Sequence, residues 1–137
     1  MRRQRGGRLG LPGAIGARLA YPDQPILLLS GDGAIGFTLG ELESSIKHSA
    51  PCCIVVADDK AWGIVVSGQR QAHGPDGVLA SRMAEARYAQ IADAFGAIGI
   101  RADSPQRLNA AIRQGLAADR TTLIHTPIAI GGPADRS

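Results

Sequence analysis

The stretch "LLLSGDGAIGFTLGELE", residues 27–43, decides the fold of this chain. It begins as a continuous apolar run, turns at closely spaced glycines, and continues with apolar residues at helical spacing. A run that is apolar at every position is typical of a strand covered on both faces in a parallel sheet. A glycine turn that leads from such a strand into a helix is typical of a phosphate-binding loop. Asp32 nevertheless places a negative charge inside this turn, where it would repel a phosphate.

Strand-like and helix-like segments alternate along the rest of the chain. We predict strands over residues 25–30, 52–57, 98–102 and 121–128, and helices over residues 10–22, 37–49, 85–97 and 104–119. In the last helix, Ser104 is the predicted N-cap and Pro105 the first helical residue. This alternation predicts an α/β fold with three layers around a central, mainly parallel sheet.

One long segment interrupts the alternation. Residues 60–82 contain four glycines and a proline, which are too many helix and strand breakers for one regular element. We therefore predict a long surface loop there, and loops of that length are often functional.

Length and composition predict one domain with short flanking segments. The chain has 137 residues, 45% hydrophobic residues and a net charge of +3, and the four arginines among residues 1–8 account for more than this excess. We predict a disordered basic arm over residues 1–9, the domain over 10–130, and a loose tail over 131–137. No aromatic residue is interleaved with those arginines, so we expect no nucleic-acid partner.

The cysteines and the apolar runs indicate the cellular context. Cys52 and Cys53 are adjacent in a predicted strand, where their side chains point to opposite faces, so we expect neither a disulfide between them nor a zinc site. We find no apolar stretch long enough to cross a membrane and no signal-peptide pattern. We therefore expect a soluble, cytoplasmic protein that does not bind membranes.

The glycine turn fits two classes of protein. Gly31, Gly33 and Gly36 match the dinucleotide-binding fingerprint, with Asp58 at the end of the next strand as a candidate ribose-binding acid. In that interpretation, Asp32 would repel the pyrophosphate. A divalent metal removes this conflict, because Mg²⁺ binds carboxylate and phosphate oxygens together. The acidic pair at the end of the next strand would supply further oxygen ligands.

Residues 31–63, "GDGAIGFTLGELESSIKHSAPCCIVVADDKAWG", resemble the thiamine diphosphate motif. That motif is Gly-Asp-Gly, a spacer, an Asn-Asn pair, and then Tyr-Gly or Trp-Gly. Here the spacer covers residues 34–57, the pair is Asp58-Asp59, and Trp62-Gly63 follows. Residues 10–33 and 88–128 also resemble the diphosphate-binding domain of the acetolactate synthase and benzoylformate decarboxylase group.

The resemblance implies a cofactor, thiamine diphosphate, a metal, Mg²⁺, and the residues that bind them. Asp32, Asp59 and the backbone carbonyl of Ala61 are the implied Mg²⁺ ligands, and the N–H groups of Gly33 and Ala34 are the implied diphosphate donors. The full set of implied cofactor-binding residues is Gly31, Asp32, Gly33, Ala34, Asp59, Ala61, Trp62 and Gly63. The resemblance assigns no catalytic residue to this chain.

Two features depart from the family pattern. The pair after the spacer is usually Asn-Asn, whereas Asp58 and Asp59 add negative charge that the metal or a basic neighbour must offset. Ala34 stands where the family often has a serine, so a hydroxyl contact to the phosphate is lost.

The resemblance also implies a partner and a reaction. Family members place the cofactor between this domain and a pyrimidine-binding domain of another chain, which carries a glutamate, so we expect a homo- or hetero-oligomer. The implied reaction is the decarboxylation or carboligation of a 2-keto acid, which belongs to the lyase or transferase class. The family's first strand and loop lie upstream of Gly10, where this chain has only "MRRQRGGRL". We therefore expect a truncated or split product whose catalysis needs the partner domain.

Simpler roles compete for the same residues. Asp32 and Asp59 could cap the local backbone, and a cap explains Asp58 equally well. We interpret Glu41 and Glu43 as solvent-exposed helix residues. The histidines show no ligand spacing and receive no role: His48, His73 and His125. For the whole chain, three alternatives remain: a Rossmann-type nicotinamide dinucleotide-binding module, a non-catalytic regulatory or assembly subunit, and an inactive fragment.

Overall fold

Four parallel strands form one sheet in the computed structural model, which describes residues 9–129. The strands are β1 (Leu27–Gly31), β2 (Cys53–Asp58), β3 (Ile98–Arg101) and β4 (Thr122–Pro127). They lie side by side in the order β1-β2-β4-β3, and every neighbouring pair is parallel.

Within the described residues, six α-helices and two short 3₁₀ turns surround this sheet. The helices are α1 (Gly10–Ala20), α2 (Asp32–Gly36), α3 (Leu42–Lys47), α4 (Gly63–His73), α5 (Tyr88–Ala94) and α6 (Pro105–Ala117). The 3₁₀ turns span Leu39–Glu41 and Pro75–Gly77. The predicted α/β fold class with a parallel central sheet is confirmed.

Each face of the sheet has its own apolar core. On one face, α1 and α3 contribute Leu11 and Leu42, which pack with the strand residue Ile54. On the other face, α6 packs against the two central strands, β2 and β4. Cys52 belongs to the first core and Cys53 to the second, and both thiols are free. The two side chains therefore point to opposite faces, as alternation along a strand requires.

The prediction that residues 25–30 form a strand covered on both faces is wrong. β1 is an edge strand, and Leu28 packs against the first core while Leu27 and Leu29 face outward with 50% and 73% of their surface exposed. The physical reason is that α6 packs against the central strands β2 and β4, which leaves the outward side chains of the edge strand exposed. Apolar residues at every position did not distinguish a covered strand from a half-covered one.

The prediction of one helix over residues 37–49 is also wrong. The helical turn after β1 starts at Asp32 itself and ends at Gly36, and a 3₁₀ turn separates it from α3. Glycines at positions 36 and 40 weaken a continuous helix, because glycine loses more backbone freedom than other residues when it becomes helical. Leu42 is fully buried, whereas Phe37 and Ile46 remain exposed.

The prediction of a long loop over residues 60–82 is wrong for its central part. Helix α4 occupies Gly63–His73 and contains two of the glycines that we counted as breakers. An isolated glycine costs a helix only about 1 kcal/mol, and burial of Val66 against the rest of the domain helps to offset this cost. The helix ends at His73, and the next residue, Gly74, has a φ of 78°, a left-handed conformation that suits glycine.

The other predicted elements are confirmed, although α5 is shorter than predicted. Helix α6 begins as expected, with the N–H of Arg107 donating to the Ser104 side-chain oxygen at 3.3 Å and Pro105 as the first helical residue. Residues 1–8 and 130–137 lie outside the described residues, so the predicted arm, tail and domain boundaries stay predictions. None of the helices in residues 9–129 has the length and apolarity that a membrane crossing requires.

Close contact between α6 and the sheet depends on Gly115. A Cβ atom at this position would lie 2.7 Å from the sulfur of Cys53 and 3.2 Å from side-chain atoms of Thr122. Both neighbours belong to strands that are fully buried there, so they have little room to move. Gly115 therefore sets how near α6 comes to the sheet.

We expect Gly115→Ala to lower the free energy of unfolding by about 1–3 kcal/mol, because the added methyl group overpacks this contact. The matched control is Gly16→Ala in α1, where a Cβ would meet no atom within 4 Å. In the control, the better helix propensity of alanine should leave stability unchanged or raise it by up to about 1 kcal/mol. Chemical denaturation measures both values, and equal effects of the two substitutions would contradict the packing argument.

Candidate functional site

An open cleft of about 860 Å³ lies at the carboxyl ends of β1 and β2. Ligands of open α/β sheets usually bind at this edge. All eight predicted cofactor-binding residues line the cleft: Gly31, Asp32, Gly33, Ala34, Asp59, Ala61, Trp62 and Gly63. Apolar side chains complete the wall: Phe37, Ala57, Ile64, Val65 and Ile128.

Strand register brings the two acidic segments together. In the parallel pair β1–β2, Gly31 lies opposite Ala57, so both strands end at the same level of the sheet. Asp32 follows directly on β1, and Asp58 and Asp59 end β2 and begin the next turn. The carboxylates therefore converge at one edge although 27 positions separate Asp32 from Asp59 in the sequence.

Asp32 is a buried carboxylate that lacks a full set of partners. Only 4% of its surface is exposed, and its Oδ1 accepts a hydrogen bond from the Gly33 N–H at 2.8 Å. Its Oδ2 is buried without a hydrogen-bond partner among the described residues. Burial raises the pKa of Asp32, the nearby carboxyls of Asp58 and Asp59 raise it further, and the Gly33 N–H offsets this only in part. A cation at Oδ2 would remove this penalty.

Asp59 caps the turn that follows β2. Its Oδ1 accepts a hydrogen bond from the Ala61 N–H at 3.1 Å, which is the local capping role that we weighed against metal binding. Its Oδ2 lies on the side of Gly63, where a Cβ atom would approach to 2.7 Å. Gly63 thus leaves room for this oxygen. Lys60, between Asp59 and Ala61, is left-handed with φ of 55°.

Backbone hydrogen bonds join the same turn to the segment after α4. The Lys60 carbonyl accepts a hydrogen bond from the Met83 N–H, and the Trp62 N–H donates to the Ser81 carbonyl, both at 2.8 Å. Between them, Ala61 forms an isolated antiparallel bridge with Arg82 and is itself buried. The backbone of Ala61 therefore has a defined position in the cleft.

The Trp62 ring packs against the glycine turn. A Cβ atom at Gly33 would lie 2.9 Å from the Trp62 ring, so only glycine permits this close approach. The ring also lies 5.4 Å from the ring of Phe37, centroid to centroid. Part of the cleft wall is strongly exposed, since Ile64 has 83% of its surface accessible.

A buried His125–Asp58 pair is the functional feature that the sequence reasoning missed. His125, to which we assigned no role, is 2% exposed, and its Nε2 lies 2.7 Å from Oδ2 of Asp58. Burial alone would raise the pKa of Asp58, but hydrogen bonds from His125 and from the Lys60 N–H outweigh it and lower that pKa. Ionised Asp58 has no proton to give, so Nε2–H of His125 is the donor. A polar residue in the middle of the apolar run "TTLIHTPI" was the available signal.

The carboxylates do not form a complete metal site by themselves. Across residues 9–129, no three His, Cys, Asp or Glu side chains come close enough to hold a metal ion. Asp58 is directed to His125 rather than lining the cleft. A metal bound at Asp32 and Asp59 would therefore need further oxygens from the backbone and from a ligand, which suits a hard ion such as Mg²⁺.

Comparison with known proteins gives a family match along most of the chain. The family model "Thiamine pyrophosphate enzyme, C-terminal TPP binding domain" matches residues 9–126. The acetolactate synthase of Bacillus subtilis (strain 168) is 32% identical over 120 residues, which cover 88% of this chain and 21% of that protein. The sulfoacetaldehyde acetyltransferase of Rhodobacter capsulatus is 33% identical over 123 residues, which cover 87% of this chain and 21% of that protein.

A solved structure agrees with these sequence matches. The thiamine diphosphate-dependent 4-hydroxybenzoylformate decarboxylase of Rhodococcus jostii RHA1 superimposes with a TM-score of 0.82 at 25% identity, covering 90% of this chain and 23% of that one. The chain spans about a fifth of the length of the curated relatives that it matches.

The raised pKa of Asp32 predicts a gain in stability when its charge is removed. A carboxyl whose pKa is higher in the folded than in the unfolded chain destabilises the folded state at any pH above the unfolded value. We expect Asp32→Asn, which keeps an acceptor for the Gly33 N–H, to stabilise the metal-free chain at pH 7 by about 1 kcal/mol. The gain should shrink as the pH falls and vanish below the ordinary carboxyl value of 3.8.

Denaturation in the presence of a chelator, repeated from pH 7 to below pH 4, measures this effect. Asp23→Asn is the matched control, because Asp23 is an exposed carboxyl in the turn before β1. A loss of stability in Asp32→Asn at pH 7, or a gain that does not depend on pH, would show that the charge of Asp32 carries no penalty.

Proposed function

Since the chain belongs to the thiamine pyrophosphate enzyme family, as its C-terminal TPP-binding domain, we propose that its cleft holds thiamine diphosphate through a bound Mg²⁺ ion. The observation that carries the metal is Asp32, whose buried Oδ2 has no partner among the described residues. A buried carboxylate with a raised pKa gains most from a cation placed beside it.

Asp32, Asp59 and the Ala61 carbonyl are the proposed Mg²⁺ ligands. All three residues line the cleft, and each would contribute an oxygen, the donor atom that Mg²⁺ prefers. Phosphate oxygens would complete the coordination shell, which agrees with the lack of three converging ligand side chains in residues 9–129. The capping bond that Asp59 makes through Oδ1 leaves its other oxygen for the ion.

The diphosphate would lie against the glycine turn at the start of α2. We propose that the N–H groups of Gly33 and Ala34 bind it, with Gly31 leaving the backbone accessible. The Gly33 N–H already donates to Asp32, so this contact would require an exchange of partners. First-turn N–H groups lack partners within their own helix, which leaves the Ala34 N–H available to an anion.

The rest of the cleft would hold the remainder of the cofactor. Trp62 and Gly63 follow the proposed metal ligands, and the apolar side chains of Ile64, Val65 and Ile128 give this wall a low polarity. Bound thiamine diphosphate supplies the carbon nucleophile that attacks a carbonyl group, and the protein contributes binding, orientation and exclusion of water.

The proposed reaction of the assembled enzyme is decarboxylation or carboligation of a 2-keto acid. It would require a pyrimidine-binding domain on another chain, in a homo- or hetero-oligomer, to close the site. The exposed apolar wall supports such a partner, because Ile64 and Val65 are adjacent, exposed apolar residues of one cleft wall, and contiguous exposed apolar surface marks interaction sites. A cytoplasmic location stays a prediction.

The nicotinamide dinucleotide alternative receives no support. Asp58, the acid that would bind a ribose in that interpretation, is paired with His125 and does not line the cleft. A non-catalytic subunit, which would bind a partner domain without turnover, and an inactive fragment stay alternatives.

Calorimetric titration of thiamine diphosphate into the 137-residue chain tests the proposal. We expect binding with Mg²⁺ present, no binding with chelator, and at least about 100-fold weaker binding for Asp32→Ala, because the substitution removes a direct ligand. Asp23→Ala, at the exposed turn before β1, should bind like the unmodified chain.

Three results would contradict the proposal. Equal binding with and without chelator would exclude the metal bridge, and unchanged affinity in Asp32→Ala would exclude this carboxylate as a ligand. Binding of NADH but not of thiamine diphosphate would instead favour the dinucleotide module.

A further inference from the structure

We propose that His125 is a positioning residue that holds the metal-binding turn, defined here as residues 58–61, in the shape that presents Asp59 and Ala61 to the cleft. The role in metal binding rests on the proposed function. The effect on the shape of the turn does not, and it can be measured on the chain without cofactor.

The first step is a buried link between two strands. His125 lies in β4 opposite Val56 of β2, and its side chain reaches forward to Asp58, the last residue of β2. The Nε2–Oδ2 distance is 2.7 Å, and both side chains are 3% exposed. A charge-assisted hydrogen bond in such a dry setting restrains both partners strongly.

The second step carries this restraint from Asp58 into the turn. While Oδ2 of Asp58 accepts from His125, its Oδ1 accepts from the Lys60 N–H at 3.0 Å. Lys60 needs such support, because its φ of 55° is a conformation that residues other than glycine rarely adopt. The next carboxylate repeats the pattern, with Asp59 accepting from the Ala61 N–H. Fixing Asp58 therefore fixes Lys60, which lies between the two proposed ligands of the turn, Asp59 and Ala61.

The third step concerns charge. Asp58 and Asp59 are consecutive carboxylates, and a third, Asp32, is close enough to both that their charges raise its pKa. Asp58 pairs with His125 and does not line the cleft, whereas Asp59 does. The pairing thus accompanies a cleft wall, against which a bound diphosphate would lie, that contains Asp59 but not Asp58.

His125 is itself held in place from two sides. The rings of His125 and Tyr88 pack in a T-shaped arrangement with centroids 5.3 Å apart, and Tyr88 is buried. Its backbone carbonyl accepts a hydrogen bond from the Ala102 N–H at 2.9 Å. A side chain that is held in one position can orient its hydrogen-bond partner, as residues that hydrogen-bond to metal ligands commonly do.

Two substitutions of similar polarity distinguish a positioning role of His125 from the effect of burying any polar side chain at this position. His125→Gln can place its amide nitrogen near the position of Nε2 and keep the donor to Asp58. His125→Asn is shorter and cannot reach. His48→Asn is the matched control, since His48 is an exposed histidine at the end of α3. If His125→Asn does not fold, as judged by circular dichroism, His125→Leu is used instead, because it removes the donor and leaves the Asp58 carboxylate in place to accept from the Lys60 N–H.

The first readout is amide hydrogen exchange of residues 59–62 in the chain without metal or cofactor. We expect at least about tenfold faster exchange at Lys60 and Ala61 in His125→Asn, and near-unchanged exchange in His125→Gln and in the control. The second readout is the affinity for thiamine diphosphate at a fixed Mg²⁺ concentration, which should fall by about 10- to 100-fold in His125→Asn only.

The two readouts distinguish the failure of this inference from that of the proposed function. Unchanged exchange in His125→Asn, or equal damage in His125→Gln, would overturn the positioning role whether or not the cofactor binds. Faster exchange with unchanged cofactor affinity would overturn the link from the turn to the metal. If the unmodified chain binds no cofactor with Mg²⁺, the proposed function fails, and the exchange data alone decide whether His125 holds the turn.

Discussion

The in-register parallel pairing of β1 with β2 is the constraint on which the candidate site depends. Because Gly31 lies opposite Ala57, the two strands end at the same level, and the residues that leave them meet at one edge of the sheet. Asp32 enters a helix there and Asp59 enters a capped turn, so two carboxylates from distant parts of the chain line one cleft. A shift of one residue in this pairing would turn one carboxylate to the opposite face.

Much of this arrangement could be predicted from residue types and spacing. The alternation of apolar runs with helical patterns predicts a parallel sheet, and a parallel sheet brings strand carboxyl ends together. The glycine turn and the acidic pair each follow an apolar run, so the approach of Asp32 to Asp58 and Asp59 could be predicted from the residues. The full set of cofactor-binding residues, the cofactor and the metal were implied by family resemblance.

What could not be predicted depends on which strands are neighbours. The His125–Asp58 contact joins residues that are 67 positions apart, and only the adjacency of β2 and β4 brings them together. The exposure of Leu29 has a similar origin, because an apolar run does not reveal whether its strand lies at an edge. Helix α4 was not predicted because we counted its glycines as helix breakers. Glycines inside a helix destabilise it by less free energy than its tertiary contacts contribute.

The strand order also has a consequence for how the chain folds as it is synthesised. β4 follows β3 in the sequence, yet it lies between β2 and β3, and β3 pairs with β4 within residues 9–129. During synthesis β3 therefore leaves the ribosome before its strand partner does, and β2 has a partner on one edge only. The edges of β2 and β3 that β4 joins therefore stay unpaired until β4 emerges, and unpaired strand edges make a nascent chain prone to aggregate.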